Sequence, residues 1–201
     1  MKIETVAQLR DIYPEPSGRA AIKTLPALEK HSINFIQTSP FVVISTFNRQ
    51  GAVDTSPRGG APGFVKVLDQ QRIVIPDAKG NHRQDSQTNI IETGRVATLF
   101  LIPGVNETLR INGAACIKND NSVLALFTGE RNPPKTYIEI TVEETFLHCA
   151  KALMRSALWS EEAKIDRSTF PTMSKMMNDQ LALNEPEESL ADMEARYQPD
   201  L

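Results

Sequence analysis

The sequence has few of the residues that build metal centres and disulfide frameworks. Its 201 residues include two cysteines and three histidines. Cys116 and Cys149 stand alone, with no CxxC pair and no Cys–His spacing typical of a zinc site. We therefore expect neither a metal site nor a disulfide framework. Isolated cysteines behave most often as small apolar residues, and we expect both to be buried and unreactive.

Long apolar runs are also missing. No stretch approaches the ~20 apolar residues of a membrane-spanning helix. The first residues, MKIETVAQLRD, contain acids and lack the apolar core of a signal peptide. The net charge of −3 argues against nucleic acid as the main partner. We expect a cytoplasmic protein that binds neither membrane nor nucleic acid.

The acidic charge is concentrated at the C-terminal end. Residues 184–201 carry six acids against Arg196, a net charge of −5, which leaves +2 for residues 1–183. A mildly positive body tolerates an anionic ligand. The division predicts one domain over residues 1–183, with terminal helices, and an acidic tail over 184–201 that is a solvated helix or disordered.

The middle of the chain consists of β-rich runs separated by turn residues. Residues 41–47 and 52–57 flank Asn-Arg-Gln-Gly, and residues 95–102 and 107–117 flank Pro-Gly-Val-Asn. Both patterns predict β-hairpins. Further strands are predicted over 72–75 and 136–146. Pro57 lacks the N–H that a sheet ladder needs, which places its strand at an edge or ends it there.

A turn before a short helix carries candidate anion-binding residues. The helix is predicted over 85–93, with Asp85 as its N-cap and Gly94 as its stop. Gly-Asn-His-Arg precedes it, and the free N–H groups of a helix start suit a phosphate. Ser56 and Arg58 share one face of the strand 52–58. The pattern fits either a phosphate site or an ordinary solvated turn.

Helical patterns flank this β-rich region on both sides. On the N-terminal side we predict helices over residues 4–12, from about 17, and over 26–37; on the C-terminal side, over 148–159 and 170–183. Arg155 and Trp159 are four residues apart, so they would share a helix face, and on pattern alone they form a packing or cation–π pair.

Five segments together resemble a known family: SPRGG, PGFVKVLD, IVIPDAKGNHRQDSQTNI, LFLIPGVNETLRINGAA and CAKALMRSALW. From about residue 25 to 180 the chain is similar to the flavoproteins related to pyridoxamine 5′-phosphate oxidase. Within them it resembles an FMN-dependent branch with chains of about this length. The resemblance implies a mainly β fold with flanking helices, an FMN-binding split β-barrel. It also implies a homodimer with FMN at the interface.

The resemblance assigns roles to residues by position. Residues matching the family's phosphate-binding positions are Ser56, Arg58, Asn81 and Arg83. Residues expected beside the flavin ring, largely through backbone groups, are Ile75, Pro76 and Asp77. Residues of the segment that closes a site, that of the partner subunit, are Arg155, Ser156 and Trp159. The basic pair of the true oxidase's phosphate turn and its C-terminal vitamin-binding motif are missing, which argues against pyridoxamine phosphate oxidation.

Three functions remain open at this point. The first is an FMN-dependent oxidoreductase exchanging hydride between a nicotinamide or similar donor and a small substrate. The second is a non-catalytic flavin-binding or sensing protein. The third is a split barrel that binds haem or a deazaflavin instead. Hydride exchange needs no protein acid, base or nucleophile, and the sequence offers no convincing one.

Overall fold

The computed structural model describes residues 2–77, 80 and 82–201. Its centre is a seven-stranded sheet of the order β2-β1-β5-β6-β7-β4-β3, in which all neighbouring strands are antiparallel. The strands are β1 Phe41–Phe47, β2 Val53–Gly59, β3 Lys66–Asp69, β4 Arg72–Pro76, β5 Arg95–Leu101, β6 Thr108–Lys118 and β7 Tyr137–His148. The helices are α1 Val6–Ile12, α2 Arg19–Ile22, α3 Lys30–Thr38, α4 Asp85–Thr93, α5 Asn121–Leu124, α6 Lys151–Ser156, α7 Met173–Leu181 and α8 Leu190–Tyr197.

Both predicted hairpins are confirmed. In the first, the Asn48 side-chain oxygen accepts hydrogen bonds from the backbone N–H groups of Gln50 and Ala52, at 3.0 and 2.9 Å. Gly51 has a φ of 84°, a conformation that glycine adopts without steric cost. β2 lies at the edge of the sheet, as Pro57 indicated.

The β6–β7 pair contains a bulge at Asn112 and Gly113. A Cβ atom at Gly113 would collide with the carbonyl oxygen of Thr141 and would lie 3.2 Å from the N of Glu143. β7 also pairs with β4, so the β3–β4 hairpin extends the sheet beyond the last strand in sequence.

The main core lies between the sheet and helices α3 and α4, which pack near β3 and β1. Its fully buried members include Ile36, Ile44, Ile73, Phe100, Leu109, Ile111 and Ile140. A smaller cluster of Val74, Phe127 and Tyr137 is covered by α5. Tyr137 donates its hydroxyl to Asp120 at 2.8 Å.

The C-terminal helical run is shorter than the sequence indicated. α6 ends at Ser156, and Ala157 has a φ of 49°, so the predicted helix over 148–159 is wrong beyond that point. Arg155 and Trp159 consequently do not share a helix face. The indole Nε1 of Trp159 instead donates to the carbonyl of Val105 at 2.9 Å.

Two further expectations are corrected. Cys116 and Cys149 are both exposed rather than buried. The helix predicted over 26–37 begins four residues later, at Lys30, because Glu29 is its N-cap and accepts from the N–H groups of His31 and Ser32 at 2.9 and 2.8 Å.

The N-terminal arm, residues 2–26, is exposed along its whole length. α1 is nevertheless well formed, with a capping box between Thr5 and Gln8. Its apolar residues Val6, Leu9 and Ile12 face solvent in this chain. Over the described residues, every helix is too short or too polar to cross a bilayer.

Candidate functional site

The end of β2, the end of β4 and the start of α4 meet around a cleft of about 420 Å³. Its lining is mainly polar and contains charges of both signs. The described lining residues are Asp54, Ser56, Pro57, Arg58, Gly59, Asp77, Gly80, His82, Arg83, Gln84, Asp85, Ser86 and Gln87. We call this the first cleft. Four of the predicted phosphate and ring residues, Ser56, Arg58, Asp77 and Arg83, therefore come together in it.

Arg58 is the most enclosed cation of the first cleft. Its Nη1 donates to the Ser56 hydroxyl and to the carbonyl of Pro57, the latter at 2.8 Å. Burial lowers the pKa of Arg58, while the carboxylates of Asp77 and Asp54 act in the opposite direction. A guanidinium stays charged in proteins, so the site keeps a half-buried positive charge for an anionic ligand.

The N-terminus of α4 opens onto the same cleft. Its N-cap is Gln84, in the left-handed conformation with a φ of 58°, and not Asp85 as predicted. Among the described residues, the Gln84 side chain makes no cap hydrogen bond. Asp85 is instead the first helical residue, and its carboxylate accepts from Arg83 Nε at 2.7 Å. The start of α4 thus presents backbone donors toward the cleft.

Polar side chains of α4 fix the walls of the cleft to each other. Ser86 donates to Asp54 of β2 at 2.8 Å, and Gln87 donates to Asp77 at 2.8 Å. Both Ser86 and Gln87 are buried. Sequence reasoning missed these two residues. The available signal was their position: Ser86 is four residues before the core residue Ile90 and thus on its face.

The residues expected beside a flavin ring lie at the end of β4. Ile75 is fully buried in the main core, and Pro76 pairs with Tyr137 of β7. The backbone N–H of Asp77 donates to the carbonyl of Thr136 at 3.0 Å. Pro76 and Asp77 line a cleft, whereas the side chain of Ile75 belongs to the core.

Other predicted site residues are not brought into the first cleft. Asn81 falls outside the described residues. Arg155 and Ser156 are on the exposed helix α6, where the Ser156 hydroxyl donates to the carbonyl of Leu153 at 3.1 Å. Trp159 packs at the β5–β6 loop through Val105. Within one chain these three residues are separate from the described lining of the first cleft.

A second cleft of about 620 Å³ continues from the first, with Arg58, Gly59 and Asp77 lining both. Its further lining comes from the loop after β2, the start of β3, the end of β4, the loop before β7 and the C-terminal residues. These are Gly60, Ala61, Pro62, Phe64, Lys66, Pro76, Gly129, Glu130, Arg131, Asn132, Pro134, Asp200 and Leu201. The two clefts together give an elongated space that is polar at one end and more apolar at the other.

The site shows no sign of a metal centre. Across residues 2–77, 80 and 82–201, no three His, Cys, Asp or Glu side chains are grouped so that they could hold an ion. Carboxylates of the first cleft instead accept hydrogen bonds from Ser86, Gln87 and Arg83. These hydrogen bonds use the carboxylates to hold the walls of the cleft together.

Comparisons with solved structures find chains that are similar to this one. HupZ from Group A Streptococcus is 16% identical over 60% of this chain and 93% of its own, with a TM-score of 0.51. An FMN-binding protein from Syntrophomonas wolfei is 14% identical over 58% of this chain and 81% of its own, with a TM-score of 0.41. An FAD-binding protein from Mycobacterium smegmatis is 12% identical over 62% and 97%, with a TM-score of 0.43.

A comparison with curated proteins finds no match. The family model for pyridoxamine 5′-phosphate oxidase matches residues 28–149, more than half of the chain. The matched part runs from just before α3 to the end of β7 and so contains the whole sheet and α4. Its antiparallel sheet with flanking helices confirms the fold class expected from the sequence. The chain belongs to the pyridoxamine 5′-phosphate oxidase family.

Proposed function

We propose that this protein binds FMN, with the phosphate in the first cleft. The observation that carries the proposal is the N-terminus of α4, without a side-chain cap among the described residues, facing the half-buried Arg58 across a cleft of about 420 Å³. Arg58, Ser56 and Arg83 would hold the phosphate oxygens together with the first N–H groups of α4.

The charges of the first cleft fit this assignment. Its three carboxylates, Asp54, Asp77 and Asp85, each already accept a hydrogen bond from a protein donor. The Arg83–Asp85 pair is exposed, and such pairs contribute little to stability, so a phosphate competes for Arg83 at small cost. The more apolar second cleft, bordered by Pro76, would receive the ring end of the nucleotide.

The bound flavin would supply hydride and electron transfer, and the chain's own residues would bind it and orient it. We propose an oxidoreductase that uses a nicotinamide or similar donor and acts on a small substrate. In the loop Gly59-Gly60-Ala61-Pro62-Gly63, Gly59 lines both clefts and the next three residues line the second. We propose this loop as the edge through which a donor would approach. Hydride transfer requires reacting atoms about 3–3.5 Å apart, so this edge must admit the donor.

We further propose a homodimer with the FMN sites at the subunit interface. Arg155, Ser156 and Trp159 lie outside the described lining of this chain's own first cleft, as expected if they complete the site of a second copy. The apolar face of α1, exposed in the single chain, offers surface for the same contact.

The cofactor proposal is tested by the visible spectrum of the purified protein and by mass identification of the compound released on denaturation. We expect a yellow protein that releases one FMN per chain. Release of haem, FAD or a deazaflavin, or failure to take up added FMN, would overturn the proposal.

Enzymatic turnover is tested separately by anaerobic stopped-flow reduction with NADH, NADPH and other donors, followed by air. We expect a biological donor to bleach the bound flavin and oxygen to restore it, with pyridoxamine phosphate as an inactive control substrate. Dithionite is the chemical control. If dithionite reduces the bound flavin but no biological donor reduces it faster than it reduces free FMN, the protein is a non-catalytic flavin binder.

A further inference from the structure

We propose that the C-terminal segment, residues 184–201, is a movable wall of the second cleft that sets the size of the reaction partner reaching the flavin. This inference rests on the proposed flavin site. The segment lies beyond residues 28–149, which the family model matches, so it is a feature of this chain in addition to the matched region. Asp200 and Leu201 line the second cleft directly.

Side chains of the loop before β7 hold the end of the segment by donating hydrogen bonds to its backbone carbonyl groups. Arg131 Nη1 donates to the carbonyl of Gln198 at 2.9 Å, and Asn132 Nδ2 donates to the carbonyl of Pro199 at 3.0 Å. Arg131 and Asn132 themselves line the second cleft. The contact therefore joins the last residues to the loop before β7 at the mouth of the cleft.

The base of the segment is attached to α7 in a similar way. The N–H of Glu188 donates to the Ser174 hydroxyl at 3.0 Å, and Asn178 Nδ2 donates to the carbonyl of Glu185 at 2.8 Å. Every residue of α8 is exposed or half-buried. A segment held by partly exposed hydrogen bonds rather than by a buried apolar face opens more readily than the core does.

The position of this wall explains what it would select. The second cleft is also lined by Gly59, Gly60, Ala61, Pro62 and Phe64, and the shared residues Arg58 and Asp77 connect it to the proposed phosphate site. A reaction partner that enters the second cleft shares its space with Asp200 and Leu201. Partners too large for that space therefore require residues 198–201 to move away.

The first test uses no cofactor. In a Cys116→Ser/Cys149→Ser background, Lys66→Cys places a single thiol in the second cleft, and its maleimide labelling rate measures access. Adding Asn132→Ala or Ser174→Ala removes one hydrogen bond that holds residues 184–201 against the cleft. Because the segment should then open more often, we expect the labelling rate to rise about fivefold. Ser174 is remote from the cleft lining, so its effect cannot come from trimming the wall itself.

Thr5→Ala is the matched control, because it also removes a hydroxyl that accepts a backbone N–H, here that of Gln8 at 3.2 Å on the N-terminal arm. It should leave labelling unchanged. Equal labelling rates in all variants would overturn the proposal of a movable wall. The same would follow if Thr5→Ala raised the labelling rate as much as Asn132→Ala or Ser174→Ala does. Circular dichroism of each variant verifies that the sheet remains folded.

The second test uses the FMN-loaded chain and acrylamide quenching of flavin fluorescence. Asn132→Ala and Ser174→Ala should raise the quenching constant, and should accelerate reduction by a bulky donor more than by a small one. A chain that labels faster but retains no flavin rejects the proposed function and supports the wall. A chain that binds FMN, with labelling and quenching unaffected by either variant, rejects the wall alone.

Discussion

In the proposed site, Asp85 and the phosphate group of FMN would compete for the same guanidinium, that of Arg83. The carboxylate of Asp85 raises the pKa of Arg83 through the hydrogen bond at 2.7 Å. We expect Asp85→Asn to tighten FMN binding slightly, because it removes one internal competitor for Arg83 and exposed ion pairs are weak.

Titration of the apoprotein with FMN measures this effect. Asp69→Asn is the matched control, since Asp69 makes a similar exposed pair with Arg72, at 2.7 Å, at the other end of β4. Weaker FMN binding in Asp85→Asn would show that Asp85 orients Arg83 for the ligand rather than competing with it.

Arg58 is expected to contribute more than Arg83 because it is the more enclosed of the two cations. Arg58→Ala should weaken FMN binding by about 1.5–3 kcal/mol, the range for a hydrogen bond to a charged group. Riboflavin lacks the phosphate, so its weaker binding should be nearly unchanged. Arg72→Ala serves as control, and normal FMN binding by Arg58→Ala would contradict the phosphate assignment.

Tyr137 makes stability depend on pH in the alkaline range. Burial and the hydrogen bond to Asp120 raise its pKa from 10.0 to about 12. The unfolded chain therefore loses the phenol proton first, and the stabilisation is present below pH 10 and is lost as pH rises from 10 to about 12. Denaturant unfolding across this pH range should show that the free energy of unfolding falls more steeply with pH for the wild-type protein than for Tyr137→Phe. Parallel curves would refute the assignment.

At the scale of elements, the bulge between β6 and β7 requires glycine. Gly113→Ala should lower the free energy of unfolding by ~3 kcal/mol, at the upper end of overpacking costs, because its Cβ meets the backbone of Thr141. Gly129→Ala is the control, since its added methyl group meets no described heavy atom within 4 Å. Urea unfolding of both variants measures this free energy. Equal stabilities would mean that the bulge can shift to accommodate the added methyl group without cost.

The elements that sequence reasoning predicted well are those with local signals. The β1–β2 hairpin is specified by Asn48 and Gly51, and α4 ends at Gly94, whose φ is 67°. Alternation also placed Ser56 and Arg58 on one face of β2. These features depend on neighbouring residues in the chain, and they suffice to predict the first cleft in outline.

Some elements that sequence reasoning predicted poorly depend on contacts between residues that are distant in the chain. Nothing local stops a helix at Ser156, but Trp159 hydrogen-bonds to Val105, 54 residues away, and the chain turns at Ala157. The start of α4 differs for a local reason: the left-handed Gln84 takes the N-cap position, and Asp85 pairs with Arg83, two residues before it, instead of capping the helix. The second cleft was not predicted because its lining residues come from parts of the chain that are far apart in sequence, such as Gly60, Asn132 and Leu201.

For the whole molecule, assembly is the main prediction. We expect a homodimer in sedimentation, and we expect FMN to quench the emission of Trp159, the only tryptophan, when it is added to apoprotein. Trp159 is not among the described lining residues of either cleft of its own chain, so we expect the quenching flavin to be that of a second copy. A monomeric holoprotein with unchanged emission would contradict the dimeric site.

The sheet order has a consequence for how the chain reaches its native state. β4 pairs with β7, and Ile75 is opposite Ile138 in that pair. Ile75 therefore cannot form this contact until more than sixty further residues have been synthesised. Pairings between such distant strands slow folding, since a long loop must close before the contacts form. Until β7 is made, the β3–β4 hairpin carries an unpaired edge on the ribosome. We therefore expect nascent chains that stop before Tyr137 to be prone to aggregation and to lack the wall of the clefts that β4 provides.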